Sequence, residues 1–80
     1  MRRMTQSIAI RDEAIHLDQL LKLSGVVGSG GQARMLVDDG RVRVNGETEL
    51  RRRRKIRVGD LVAVEGAGTF EVTQAQGRPG

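Results

Sequence analysis

Between Arg51 and Arg57, six of seven positions are cationic, namely Arg51, Arg52, Arg53, Arg54, Lys55 and Arg57, and none is acidic. Arginine outnumbers lysine twelve to two along the chain, and its flat, weakly hydrated guanidinium suits two-point contact with phosphate better than an ammonium does. The chemistry on offer is therefore binding of a polyanion. Arg34, Arg41 and Arg43 add three guanidiniums upstream and are expected to share a surface that the loop bearing Arg51 to Lys55 extends. The net charge of +4 is modest, so the case rests on clustering and not on the total. Phe70 is the single aromatic residue and falls in a predicted core strand. Unpaired bases thus have no stacking platform, which leaves the spacing of the anionic groups and the shape of the partner as the features to be recognised.

Other chemistry finds little support. The chain has no Cys, which removes thiolate metal sites, disulfides and cysteine nucleophiles and fits a reducing compartment. His16 stands alone, without a second His to complete a metal site. Asp38 and Asp39 are adjacent, so on a helix they point in different directions, unlike an acid and base facing across a cleft. Gly28, Gly30 and Gly31 precede a helix but lack the Gly-Lys-Ser/Thr ending of a phosphate-binding loop. Glu47 and Glu49 are read as tuning the loop charge. No catalytic residue, metal or cofactor is expected. Arg41 and Arg43 have a plainer reading as the wet face of a strand, where cations discourage edge-to-edge pairing.

The elements that must position these cations follow from local pattern. Ser7 to Ile10 reads as a short strand. Leu17, Leu20 and Leu21 form the stripe of an amphipathic helix, with Asp18 near its positive end, Lys22 near its negative end and Gly25 as terminator. Ser29 and Gln32 match a capping box for a second helix, whose buried stripe is Ala33, Leu36 and Val37 and whose stop is Gly40. The period then changes to two: Val42 and Val44 face inward before the Asn45-Gly46 reversal. After the basic run come Ile56, a turn at Gly59-Asp60, a strand from Leu61 to Val64, and a hairpin through Gly66 and Gly68 into Thr69 to Val72. The fold class is α+β, two packed helices against a small, mostly antiparallel sheet. At 80 residues one domain is expected, spanning 7–73, with 1–6 and 74–80 as flexible tails. No apolar stretch approaches the roughly 20 residues of a membrane span, and a monomer in the cytoplasm is expected.

The ordered set Leu17-Asp18-Gln19-Leu20-Leu21-Lys22-Leu23, Gly25, Ser29 to Arg34, Gly40, Val42, Val44, Asn45-Gly46 and Gly59-Asp60 resembles the S-four-type RNA-binding domain, or αL motif. It is similar in particular to stand-alone bacterial members of the YbcJ type. The resemblance implies a module without catalysis that binds structured RNA, ribosomal or transfer RNA above all, and so the ribosome or its precursors as partner. The candidate RNA-binding residues are then Lys22, Gln32, Arg34, Arg41, Arg43, Arg51, Arg52, Arg53, Arg54 and Lys55. One departure stands out: the ribosomal branch places Arg directly after the helix-two Ser, where this chain has Gly30. Either the 51–55 run compensates for that contact or the partner differs. A basic adaptor for an acidic protein is the alternative reading. DNA is a third, weakened because the second helix carries only Arg34 among apolar and acidic residues.

Overall fold

The structure, a computed structural model, describes residues 5–75. In chain order its elements are β1 (Thr5–Ile10), β2 (Ala14–His16), α1 (Leu17–Leu23), α2 (Gly30–Asp38), β3 (Val42–Val44), β4 (Glu47–Thr48), β5 (Lys55–Arg57), β6 (Leu61–Val64) and β7 (Gly68–Gln74). Both helices form where the apolar spacing places them. His16 starts α1, its amide donating to Gln19 Oε1 at 3.4 Å, and Gly25 ends it in the left-handed region at φ +83°. Ser29 Oγ accepts from the Gln32 amide at 3.2 Å, as expected of a cap. The reciprocal half of the box is displaced, however. Gln32 Oε1 accepts from the amide of Gly28 at 2.7 Å and not from that of Ser29, so the cap reaches one residue further back into the loop. Gly40, at φ +73°, stops α2.

A five-stranded sheet runs in the order β1-β7-β6-β3-β4, and a separate two-stranded sheet pairs β2 with β5. The main sheet is antiparallel except at one end, where β1 and β7 are parallel from Thr5 opposite Thr69 to Ile10 opposite Gln74. Asn45 (φ +52°) and Gly46 (φ +89°) make the reversal between β3 and β4, both with the positive φ that a type I′ hairpin turn demands. This turn is tied to the one before β6. Asn45 Nδ2 donates to Asp60 Oδ1 at 3.1 Å, the Leu61 amide donates to Asn45 Oδ1 at 2.9 Å, and Asp60 Oδ2 accepts from the Arg57 amide at 2.8 Å.

Val42, Val44, Val62, Val64, Phe70 and Val72 are buried, and strand alternation puts them on one face of the main sheet. They join Leu17, Leu20, Leu21, Ala33, Val37 and Ile56 in one core, so the helices and the β2–β5 sheet lie on that side. One expectation needs adjusting, and one element is additional. The ordered chain extends beyond 7–73, since Thr5 and Gln6 pair with Thr69 and Phe70 and Gln74 Nε2 donates to the carbonyls of Ile10 and Arg11 at 3.1 and 3.0 Å; the rest of the expected tails, 1–4 and 76–80, lies outside the described residues. The β2–β5 sheet, moreover, had no counterpart in the sequence reading. Among the described residues no helix is long and apolar enough to cross a membrane.

Candidate nucleic-acid interface

The basic run begins at Arg51, with Glu49 and Leu50 between it and the end of β4, and its backbone is fastened to neighbouring elements. The amides of Leu17 and Asp18, in the first turn of α1, donate to the carbonyls of Arg54 (2.9 Å) and Arg52 (2.8 Å). Helix-start amides have no partner inside the helix, so this loop supplies what α1 lacks. The Arg54 amide closes a turn onto the Arg51 carbonyl at 3.1 Å. Lys55 to Arg57 then enter β5, with Lys55 opposite His16 and Arg57 opposite Ala14. A solvated run without fixed geometry would show none of these bonds.

Glu49 fixes two of the side chains, those of Arg51 and Arg54. It is only 6% exposed, and its amide donates to the Val42 carbonyl at 3.0 Å, which orients it from the β3 side. One carboxylate oxygen, Oε2, accepts from both the amide (2.9 Å) and Nε (3.1 Å) of Arg51; the other, Oε1, accepts from Arg54 Nη1 at 2.7 Å. The bond from Arg54 is the main cause that holds the Glu49 carboxyl down at about 2; burial opposes it and the Arg51 bonds assist. The same contact raises the Arg54 guanidinium above its ordinary value. Charge and hydrogen bonds therefore agree that this pair stays ionised. Sequence reasoning assigned Glu49 only to loop charge. Its spacing to Arg51 and Arg54 was visible, but its burial was not.

Arg51, Arg52, Arg53, Arg54 and Lys55 line one open concavity. Arg52, Arg53 and Lys55 are exposed and, among the described residues, form no ion pair. The remaining candidates are distributed differently. Arg41 and Arg43 line a second concavity, beside Gly66 and Thr69. Arg43 alternates with the buried Val42 and Val44, so it stands on the sheet face opposite the helices, whereas Arg34 is on the exposed side of α2, paired with Asp38 at 3.5 Å. Of the three residues expected on one surface, Arg41 and Arg43 thus share a concavity, whereas Arg34 lines neither it nor the one at 51–55. Arg41 pairs with Glu65 at 3.2 Å. Lys22 lines a third concavity with Arg11 and Gln19. The Gln32 carbonyl oxygen is occupied by its capping bond. Among the described residues no group of three His, Cys, Asp or Glu side chains is placed to hold a metal ion.

With this geometry in place, comparison with known proteins is decisive, since the S4 domain family pattern matches residues 8–73. The chain belongs to the S4 domain family. This S4 domain is 46% identical over 69 residues to the probable ribosome maturation protein RlbA of Bacillus subtilis, covering 86% of the chain and 97% of that relative. It is 42% identical over 52 residues to the putative RNA-binding protein YbcJ of Escherichia coli, covering 65% of the chain and 74% of the relative. The solution structure of YbcJ, described as revealing an αL motif involved in RNA-binding, matches with a TM-score of 0.60 at 34% identity, over 91% of this chain and 95% of that one. The α+β fold, two helices packed on a sheet, is common to both; the sequence reading anticipated this with a mostly antiparallel sheet, to which the parallel β1–β7 pair is an addition.

Proposed function

We propose that this S4 domain is a non-catalytic module that binds folded RNA through backbone phosphates, acting as a monomer in the cytoplasm on ribosomal RNA or its precursors. The carrying observation is the 51–55 loop, five adjacent cations around one concavity on a backbone fastened to α1 and β2. The names borne by RlbA and YbcJ support RNA as the polyanion and ribosome maturation as the setting. Arg52, Arg53 and Lys55 are the leading phosphate contacts because no carboxylate of the described chain holds them. Arg51 and Arg54 flank them, and Lys22, Gln32, Arg34, Arg41 and Arg43 contribute around the periphery. Transfer RNA is served equally well by the same phosphate chemistry.

Filter binding of a folded ribosomal RNA fragment over a salt series tests this reading. With four to six phosphates neutralised, log K falls against log salt with a slope of about −3 to −5. Replacing Arg52, Arg53 and Lys55 with Ala removes three contacts and reduces the slope by about 2 to 3. Affinity then drops by a similar factor for all folded RNAs, since phosphate contacts carry little sequence information. A flat salt response, or a triple variant that binds like the parent, would overturn the proposal. Equal competition by duplex DNA or by a polyacidic peptide would redirect it to those partners.

A further inference from the structure

Among the described residues Glu49 is the one buried charged side chain, and phosphate binding alone gives it no part. On charge alone it works against that function, because one carboxylate beside five cations lowers the charge of the 49–55 segment from +5 to +4. Its geometry points the other way. Glu49 grips the first and the fourth of the four consecutive arginines and leaves the two between them, with Lys55, outside its reach. Arg52 and Arg54 meanwhile turn their carbonyls to α1, so main chain and side chains are constrained together.

Building on the RNA-binding reading above, we infer that Glu49 is a positioning residue: by clamping Arg51 and Arg54 it fixes both ends of the arginine run, and so the course of the loop that presents Arg52 and Arg53, and thereby gives the domain its preference for folded RNA over unstructured polynucleotide. A folded RNA offers phosphates at set positions, and a guanidinium already aimed at one loses little freedom on docking. A flexible single strand adapts to the cations in any arrangement, so it gains nothing from their being fixed.

Electrostatics and positioning give opposite signs for Glu49→Gln. The substitution keeps the side-chain volume and raises the segment charge by one unit. If Glu49 only neutralised, every polynucleotide would bind more tightly. If it positions, binding to a folded transfer RNA transcript weakens about tenfold, while poly(U) of the same length binds equally or somewhat more tightly. Glu49→Asp keeps the charge but shortens the arm, so it no longer spans both arginines, and the same loss of discrimination is expected. Both variants are checked by circular dichroism and thermal melting, and should Glu49→Gln fail to fold, Glu49→Asp decides. Retention of the parent's ratio of transfer RNA to poly(U) affinity by a folded variant would overturn the inference while leaving RNA binding intact. Failure of the parent to bind either polymer would overturn both.

Discussion

Among the described residues, the side chain that accepts the most hydrogen bonds is an acid inside a basic loop, Glu49, and its ionisation links the site to stability. Glu49 is held at about 2, from an ordinary value of 4.5, mainly by the bond from Arg54. A carboxyl whose folded value is depressed contributes stability that is complete above the unfolded value and is lost as pH falls through the folded one. The parent and Glu49→Gln therefore differ most in thermal stability above about pH 4.5. The gap, on the order of 2 kcal/mol for hydrogen bonds to a charged group, closes as pH falls toward about 2. Melting both proteins across that range checks it, and a gap constant with pH would show that the charge is not what stabilises. The run of arginines was legible because the residues adjoin in sequence. The clamp was not, because Glu49 becomes buried only once its amide meets Val42 in the neighbouring strand. The pairs Arg34–Asp38 and Arg41–Glu65 are exposed on both sides, and surface pairs of that kind contribute little, so phosphate can displace them.

Elements specified by neighbours in sequence were readable in advance: the leucine stripe of α1, Ser29 at the head of α2, and the valine alternation ending at Asn45-Gly46. The β2–β5 pair was not, since Ile15 meets Ile56 across both helices and a hairpin that intervene in the sequence, and nothing local to either segment announces its partner. Two glycines at the ends of α2 show how differently one residue type can be constrained. Gly40 sits at φ +73°, and an added Cβ would make only an ordinary contact with Thr48 Cγ2 at 3.8 Å. The cost of Gly40→Ala is thus backbone strain, about 1 kcal/mol. Gly30 opens α2, and a Cβ there meets nothing within 4 Å. Gly30→Arg, which restores the cation of the ribosomal branch, is expected to change stability by less than about 0.5 kcal/mol, helix propensity offsetting the unfavourable helix end. If α2 approaches the RNA, it also steepens the salt slope by about 0.7 to 0.9. Melting and salt titration of the two variants separate the cases. An unstable Gly30→Arg would contradict the open space at that position.

Across the whole molecule, the described chain closes on itself, because β1 and β7 lie side by side in parallel. That contact could not be read from periodicity, since it joins residues more than sixty positions apart and nothing local announces the partner. Its contribution to stability can nonetheless be gauged. Ile10 is 4% exposed and Ile8 packs partly against the core. At about 1.5 to 3 kcal/mol for each fully buried aliphatic side chain, removal of β1 forfeits on the order of 3 kcal/mol, a large share of the roughly 5 to 15 kcal/mol that holds a domain folded. A chain lacking residues 1–10 is therefore expected to melt roughly 12 to 24 °C lower than the parent. It also uncovers the hydrogen-bonding edge of β7 over Thr69 to Gln74, and a free edge seeks another strand. Concentration-dependent association should accompany the lower midpoint in sedimentation measurements. The basic loop is fastened to α1 and β2 instead, so below the new midpoint the shortened protein keeps its affinity for folded RNA. Loss of that affinity while the chain remains folded would show that the sheet's closure, and not the loop's own fastening, sets the geometry of the cations.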